Sequence, residues 1–217
     1  QPHPGWFHSA SPLRPQTLST THTFALFAET RLQLSDRLSL VTGVRRDQNH
    51  IDRDNLIDGS RSDHSLQGGN WRAGLVYAFT DDLSLYGQYS TSEDGVNNLI
   101  SLSPAQMHYE LTEAKQTEVG LKQRFWDGRG EWTLAAYHIV KKKLLVDDPI
   151  THEKQQAGQQ TSDGLEATLE LALAHQWQVS ANASLVRAKY DHFDEMVGGA
   201  AQDRAGNRPA NVPRRTA

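Results

Sequence analysis

The chain has 217 residues, a formal net charge of −4 and no cysteine. The length allows one domain or two small ones, the charge balance lacks the basic stripe that a nucleic-acid partner requires, and the missing thiols exclude disulfides and thiolate metal sites. No run of about eighteen apolar residues occurs, so no helix of this sequence is expected to cross a bilayer.

Residues 1–22 are rich in Pro, Ser, Thr and His and read as loop. Gln1–Trp6 has neither the basic start nor the apolar core of a signal peptide, so for an exported protein the true N-terminus is expected to lie elsewhere. Four hairpins follow. The first pairs Phe24–Leu34 with Leu38–Asp47 around Ser35-Asp36-Arg37. The second pairs Asn70–Phe79 with Leu83–Ser90 around Thr80-Asp81-Asp82. The third pairs Glu113–Phe125 with Glu131–Lys142 around Asp127-Gly128-Arg129-Gly130, and the fourth Gly164–Leu173 with Trp177–Arg187 around Ala174-His175-Gln176. Turn centres at Asp36, Asp81, Gly128 and His175 stand 45, 47 and 47 residues apart. The stretches between hairpins, 48–69, 91–112, 143–163 and 188–211, read as long polar loops. A helical turn within Pro104–Lys115 is compatible with its composition.

Each strand alternates with a period of two. Phe24, Leu26, Leu32, Leu40, Val44, Trp71, Leu75, Phe79, Leu85, Val119, Leu134, Leu165 and Trp177 fall on one face. No charged residue interrupts that face, although 22% of the chain is charged. The interleaved positions carry Glu29, Arg31, Arg45, Arg72, Glu118, Lys122, Arg124, Glu166 and Glu170. A lipid-facing Lys or Arg at mid-membrane costs about 2–4 kcal/mol, whereas a wet lumen tolerates charge. Tyr77, Phe79, Phe125, Trp126, Trp132 and Trp177 gather near the short turns like an interfacial girdle. A mean hydropathy of −0.64 is compatible with such a wall, because only alternate residues meet lipid.

The pattern predicts an all-β fold: about eight strands of an antiparallel, up-and-down transmembrane β-barrel, with short periplasmic turns and long extracellular loops, in a bacterial outer membrane. A soluble β-sandwich is the alternative, but it has no reason to clear charge from one face or to gather its long loops at one end. Asn211–Ala217 reads as the entry to a ninth, descending strand, so the chain is expected to be an internal piece of a larger barrel.

Several segments resemble the barrel of TonB-dependent outer-membrane receptors, particularly those for ferric siderophores. They are Phe24–Arg31 with Asp36–Arg45, Phe79–Ser90, Thr117-Glu118-Val119-Gly120-Leu121-Lys122, and Gly206–Pro213. The resemblance covers nearly the whole chain after residue 22. It implies a 22-stranded barrel closed by an N-terminal plug and driven by a TonB-type energy-coupling protein, with plug and C-terminal strands outside these residues. The implied ligand is a ferric siderophore; receptors for cobalamin, haem or a carbohydrate would share the barrel and differ in their loops.

In such receptors the upper lumen and outer loops hold the ligand. Inward candidates at the rim are Arg45, Arg72, Tyr86, Gln88 and Tyr137, and loop candidates are Arg53, His64, Tyr109 and His152. Arginines suit an anionic chelate. The ten histidines form no ligand set on one strand face, so no metal site and no cofactor is expected. Lys141-Lys142-Lys143 lies where a strand leaves the membrane and suits contact with lipopolysaccharide. Asp63-His64 and Asp191-His192 are neighbours whose side chains diverge on a strand, and no enzymatic activity is expected.

Overall fold

The structure, a computed structural model, describes residues 16–93, 109–147, 154–173, 177–197 and 200–216. Eight long strands run in sequence order: β1 Thr17–Gln33, β2 Leu38–Asn55, β3 Arg61–Ala78, β4 Leu83–Glu93, β5 Glu113–Phe125, β6 Gly130–Asp147, β7 Lys154–Ala172 and β8 Gln178–His192. Every neighbouring pair is antiparallel, in one up-and-down sheet. A small hairpin, β9 Asp194–Val197 with β10 Ala200–Asp203, follows, and β11 Arg215–Thr216 then pairs with β8. That pairing is the start of the expected ninth strand.

Three short turns lie where the alternation breaks, at 34–37, 79–82 and 126–129. In the first, Leu34 N–H and Ser35 N–H both donate to Leu38 O at 2.8 and 3.1 Å. In the third, Trp126, Asp127 and Gly128 all take positive φ, which a tight reversal demands and most side chains resist. The fourth expected turn, Ala174-His175-Gln176, lies outside the described residues.

The strands are longer than their apolar alternation. β1 starts at Thr17, so residues 17–22 are strand and not loop. The stretch 48–69 is likewise mostly ladder: β2 runs on to Asn55, β3 starts at Arg61, and only residues 56–60 connect them. β6 and β7 extend the same way, to Asp147 and from Lys154, into the expected loop 143–163. The cause is solvent. Beyond the bilayer both faces meet water, so the period-two pattern fades while backbone pairing continues. The helical turn weighed at 104–115 falls partly outside the described residues; Tyr109–Thr112 carries no helix and Glu113 opens β5.

The register fixes the tilt. Leu38 at the foot of β2 lies on one rung with Tyr77, Leu85, Leu121, Leu134, Ala167 and finally Ala183 on β8. The apolar foot of β8 is Trp177, six positions below Ala183. Six residues of roughly 3.3 Å against six inter-strand steps of about 4.8 Å give a slope near 35°. Outer-membrane barrels have strand tilts of about 35–45°.

The apolar face stays open to its surroundings, as a lipid-contacting wall must. Phe24, Leu26, Val44, Leu165 and Trp177 are between 50 and 70% exposed. Its one polar interruption near the short turns, Gln123, accepts a 3.1 Å hydrogen bond from Trp132 Nε1. Aromatic pairs mark both margins: Tyr77 with Phe79 and Phe125 with Trp126 near the turns, and Trp71 with Tyr89 at the opposite end.

Candidate functional site

The opposite face carries the charge, and its charges answer one another. Arg72 on β3 reaches across β2 to Glu29 on β1 at 2.5 Å. Arg45 holds Asp47 through Nε and Nη2 at 2.9 and 2.7 Å. Lys122 meets Glu131 at 2.7 Å. These are partly exposed pairs, worth about 0–1 kcal/mol each. Their significance is chemical: both expected rim arginines already carry a carboxylate, so an anionic ligand must compete for them.

Lower on the same face, two tyrosines occupy the space above glycines. Tyr86 is paired with Gly120 and Tyr137 with Gly164, and a Cβ at either glycine would collide with the ring. The Tyr86 hydroxyl donates to Glu118 at 2.7 Å. Gln116 donates to the other oxygen of Glu118 at 2.7 Å. Glu166 stands near Tyr137. Among the described residues no ion pair engages Glu118 or Glu166. The sequence placed both on the polar face. It held no sign that they share a tyrosine-lined belt, because the pairing is between strands.

Above the membrane, β2 and β3 form a tall hairpin whose largely polar inner face holds a small apolar cluster. Ile51, Leu66 and Leu111 are buried together, with Tyr109 packed against them. Arg53 is buried on the same hairpin, and burial pushes its pKa down. His64 stands opposite Ile51, with its Nε2 enclosed and no hydrogen-bond partner.

The expected site residues therefore divide. Arg45, Arg72, Gln88, Tyr86, Tyr137 and His64 all fall on the inner face by register. Tyr86, Gln88 and Tyr137 do not lie at the rim: Gln88 and Tyr137 flank Glu118 on one rung in the middle of the wall, and Tyr86 is two residues nearer the short turn. Tyr109 packs against the Ile51, Leu66 and Leu111 cluster, and His64 faces Ile51 across the β2–β3 hairpin. His152 lies outside the described residues. The cluster of Ile51, Leu66 and Leu111 was not foreseen, since an isolated Ile or Leu in a polar stretch carries no period.

The geometry defines a class: a wall of an outer-membrane β-barrel with a polar lumen. The family model described as TonB dependent receptor-like, beta-barrel, matches residues 3–217, and the chain belongs to that family of outer-membrane receptors. Among curated relatives, the probable TonB-dependent siderophore receptor PiuA of Acinetobacter baumannii is 22% identical over 94% of this chain and 29% of its own length. The metal-pseudopaline receptor CntO of Pseudomonas aeruginosa is 27% identical over 88% of this chain and 26% of its own. The chain thus spans less than a third of the length of these relatives. Among solved structures, PiuA superposes with a TM-score of 0.78 at 22% identity, covering 93% of this chain and 31% of PiuA. The closed form of the ferric-catecholate import receptor Fiu of Escherichia coli gives 0.70 at 19% identity, covering 87% and 30%. These similarities bear on the fold.

Proposed function

We propose that this chain is part of the wall of an energy-coupled receptor that binds and imports ferric siderophore complexes. The observation that carries the reading is the similarity of most of the chain to siderophore receptors, PiuA and Fiu among them. The ligand is met at the outer mouth by Tyr109 and by His64 on the β2–β3 hairpin, with Arg45 and Arg72 below. Tyr86, Gln88 and Tyr137 face the passage further down. Glu118 and Glu166 engage basic groups of the plug domain that fills the lumen, and that domain contacts the TonB-type protein. Lys115, Lys142 and Arg187, on the lipid-facing side just above the apolar band, meet the phosphates of lipopolysaccharide. The protein acts as a receptor and not as an enzyme. Asp63 and His64 point to opposite faces, opposite Asp52 and Ile51 respectively.

The test is a binding screen on the full-length receptor with ferric catecholates, ferric hydroxamates, haem and cobalamin. Binding of a ferric siderophore is expected. Binding of haem or cobalamin alone overturns the reading. The metal-pseudopaline receptor among the relatives is the reason to include chelates of other metals.

A further inference from the structure

The outer edge of this wall is uneven. β2 and β3 climb to Asn55 and Arg61, and β6 and β7 to Asp147 and Lys154, but between them β4 stops at Glu93 and β5 starts at Glu113. Residues 109–112 lie in that gap and are held from both sides. On one side Leu111 is buried against Ile51 and Leu66, with Tyr109 beside it. On the other side, Lys143 of β6 grips the same segment with its side chain and its backbone. Its ammonium sits between the carboxylates of Glu110 and Glu113, the latter at 2.5 Å. Its carbonyl accepts from Thr112 Oγ1 at 2.9 Å and from Gln156 Nε2 at 3.1 Å. Gln156 also donates to Glu110 O at 2.9 Å.

Lys143 takes an unusual backbone to do this. Its φ is +57° within a strand, where a side chain other than glycine is uncommon. The β6–β7 ladder skips it without changing register: Lys142 pairs with Gln159 and Leu144 with Ala157, and Lys143 has no pair between them. From this backbone its side chain meets Glu110 and Glu113. A strained residue whose ammonium and carbonyl all engage one short segment points to a task for that segment.

We infer that Lys143 is a positioning residue for ligand capture: it clamps Glu110–Glu113 and so sets Tyr109 against the inner face of the β2–β3 hairpin, at the mouth. Lys143 touches no ligand and acts through Tyr109. The inference rests on the receptor reading above.

The experiment uses the full-length receptor with Lys143→Met, Lys143→Arg, Tyr109→Ala and the double variant Lys143→Met with Tyr109→Ala. Met keeps the length and the backbone burden at position 143 and removes the charge. Two quantities are read: hydrogen-exchange protection at residues 110–113, and affinity for the ferric siderophore found in the screen. Lys143→Met is expected to lose protection there and to weaken binding about tenfold, Lys143→Arg to restore most of both, and the loss to vanish in the Tyr109→Ala background. Unchanged protection in Lys143→Met overturns the clamp. Lost protection with unchanged affinity, or a full tenfold loss that persists without Tyr109, overturns the positioning role. A wild-type receptor that binds no ferric siderophore defeats the transport reading instead, and the exchange arm still decides the clamp.

Discussion

Tyr137 on β6 holds its ring where a side chain on Gly164 of β7 would stand. The glycine is there for the close approach of a neighbour, the usual meaning of glycine inside a strand. Gly164→Leu forces the ring away. The expected cost is about 1–3 kcal/mol, read as a lower urea midpoint for the receptor folded in bilayers. Gly87→Ala is the control: a Cβ there meets its nearest neighbour at 3.9 Å, ordinary contact, and the midpoint should hardly move.

The two faces of β7 offer a sharper contrast. Leu165 faces lipid and Glu166 the lumen. Leu165→Arg should destabilise the folded barrel by about 2–4 kcal/mol. Glu166→Gln keeps the side chain's size and should leave the urea midpoint nearly unchanged. Equal effects from the two would contradict the assignment of faces.

Arg208 makes a prediction about the ninth strand. Its guanidinium donates to Val212 O at 2.7 Å, Pro213 O at 2.6 Å and Val186 O at 3.1 Å, tying the 208–213 turn to β8 just before Arg215 pairs with Leu185. Arg208→Ala leaves those carbonyls short of a donor. We expect about 1–3 kcal/mol of local destabilisation, seen as faster hydrogen exchange at Val186, whose amide donates to Arg214 O.

Lys143 also sets a pH dependence. Hydrogen bonds with Glu110, then Glu113, raise its pKa from 10.5 to about 12. A group with a raised folded-state pKa contributes fully below its unfolded value and loses that contribution as pH rises through the folded value. The Tm difference between wild type and Lys143→Met should be constant up to about pH 10.5 and shrink toward zero near pH 12. A difference that grows over that range would contradict the clamp.

Much of this wall was legible in its sequence, and the physical reason is lipid. From Leu38 to Val44, or Leu165 to Leu173, one face must meet hydrocarbon, so apolar residues recur at every second position and the strand announces itself. From Asp47 to Asn55 neither face meets lipid; the residues turn polar on both sides, and a strand reads as loop. The site was less legible for a related reason. The inward parity of Arg45, Arg72 and Tyr137 was legible because it is a local property. The depth of Tyr86, the burial of Leu111 and the grip of Lys143 on Glu110 depend on register between strands, which no single segment encodes. The one local hint at the clamp was the run Lys141-Lys142-Lys143 at the upper end of the apolar pattern.

The six-residue drift of the apolar foot between β2 and β8 has a consequence for how such a wall can change length. Every strand is bolted to the next at a fixed offset, so deleting two residues within β5 would lower or raise all later strands by roughly 7 Å against the bilayer. Growth and loss are tolerable only at the crests, around residues 56–60 and their counterparts, where added chain moves nothing beneath it. Novelty in what such a protein captures is therefore confined to its skyline, while the masonry below keeps its count.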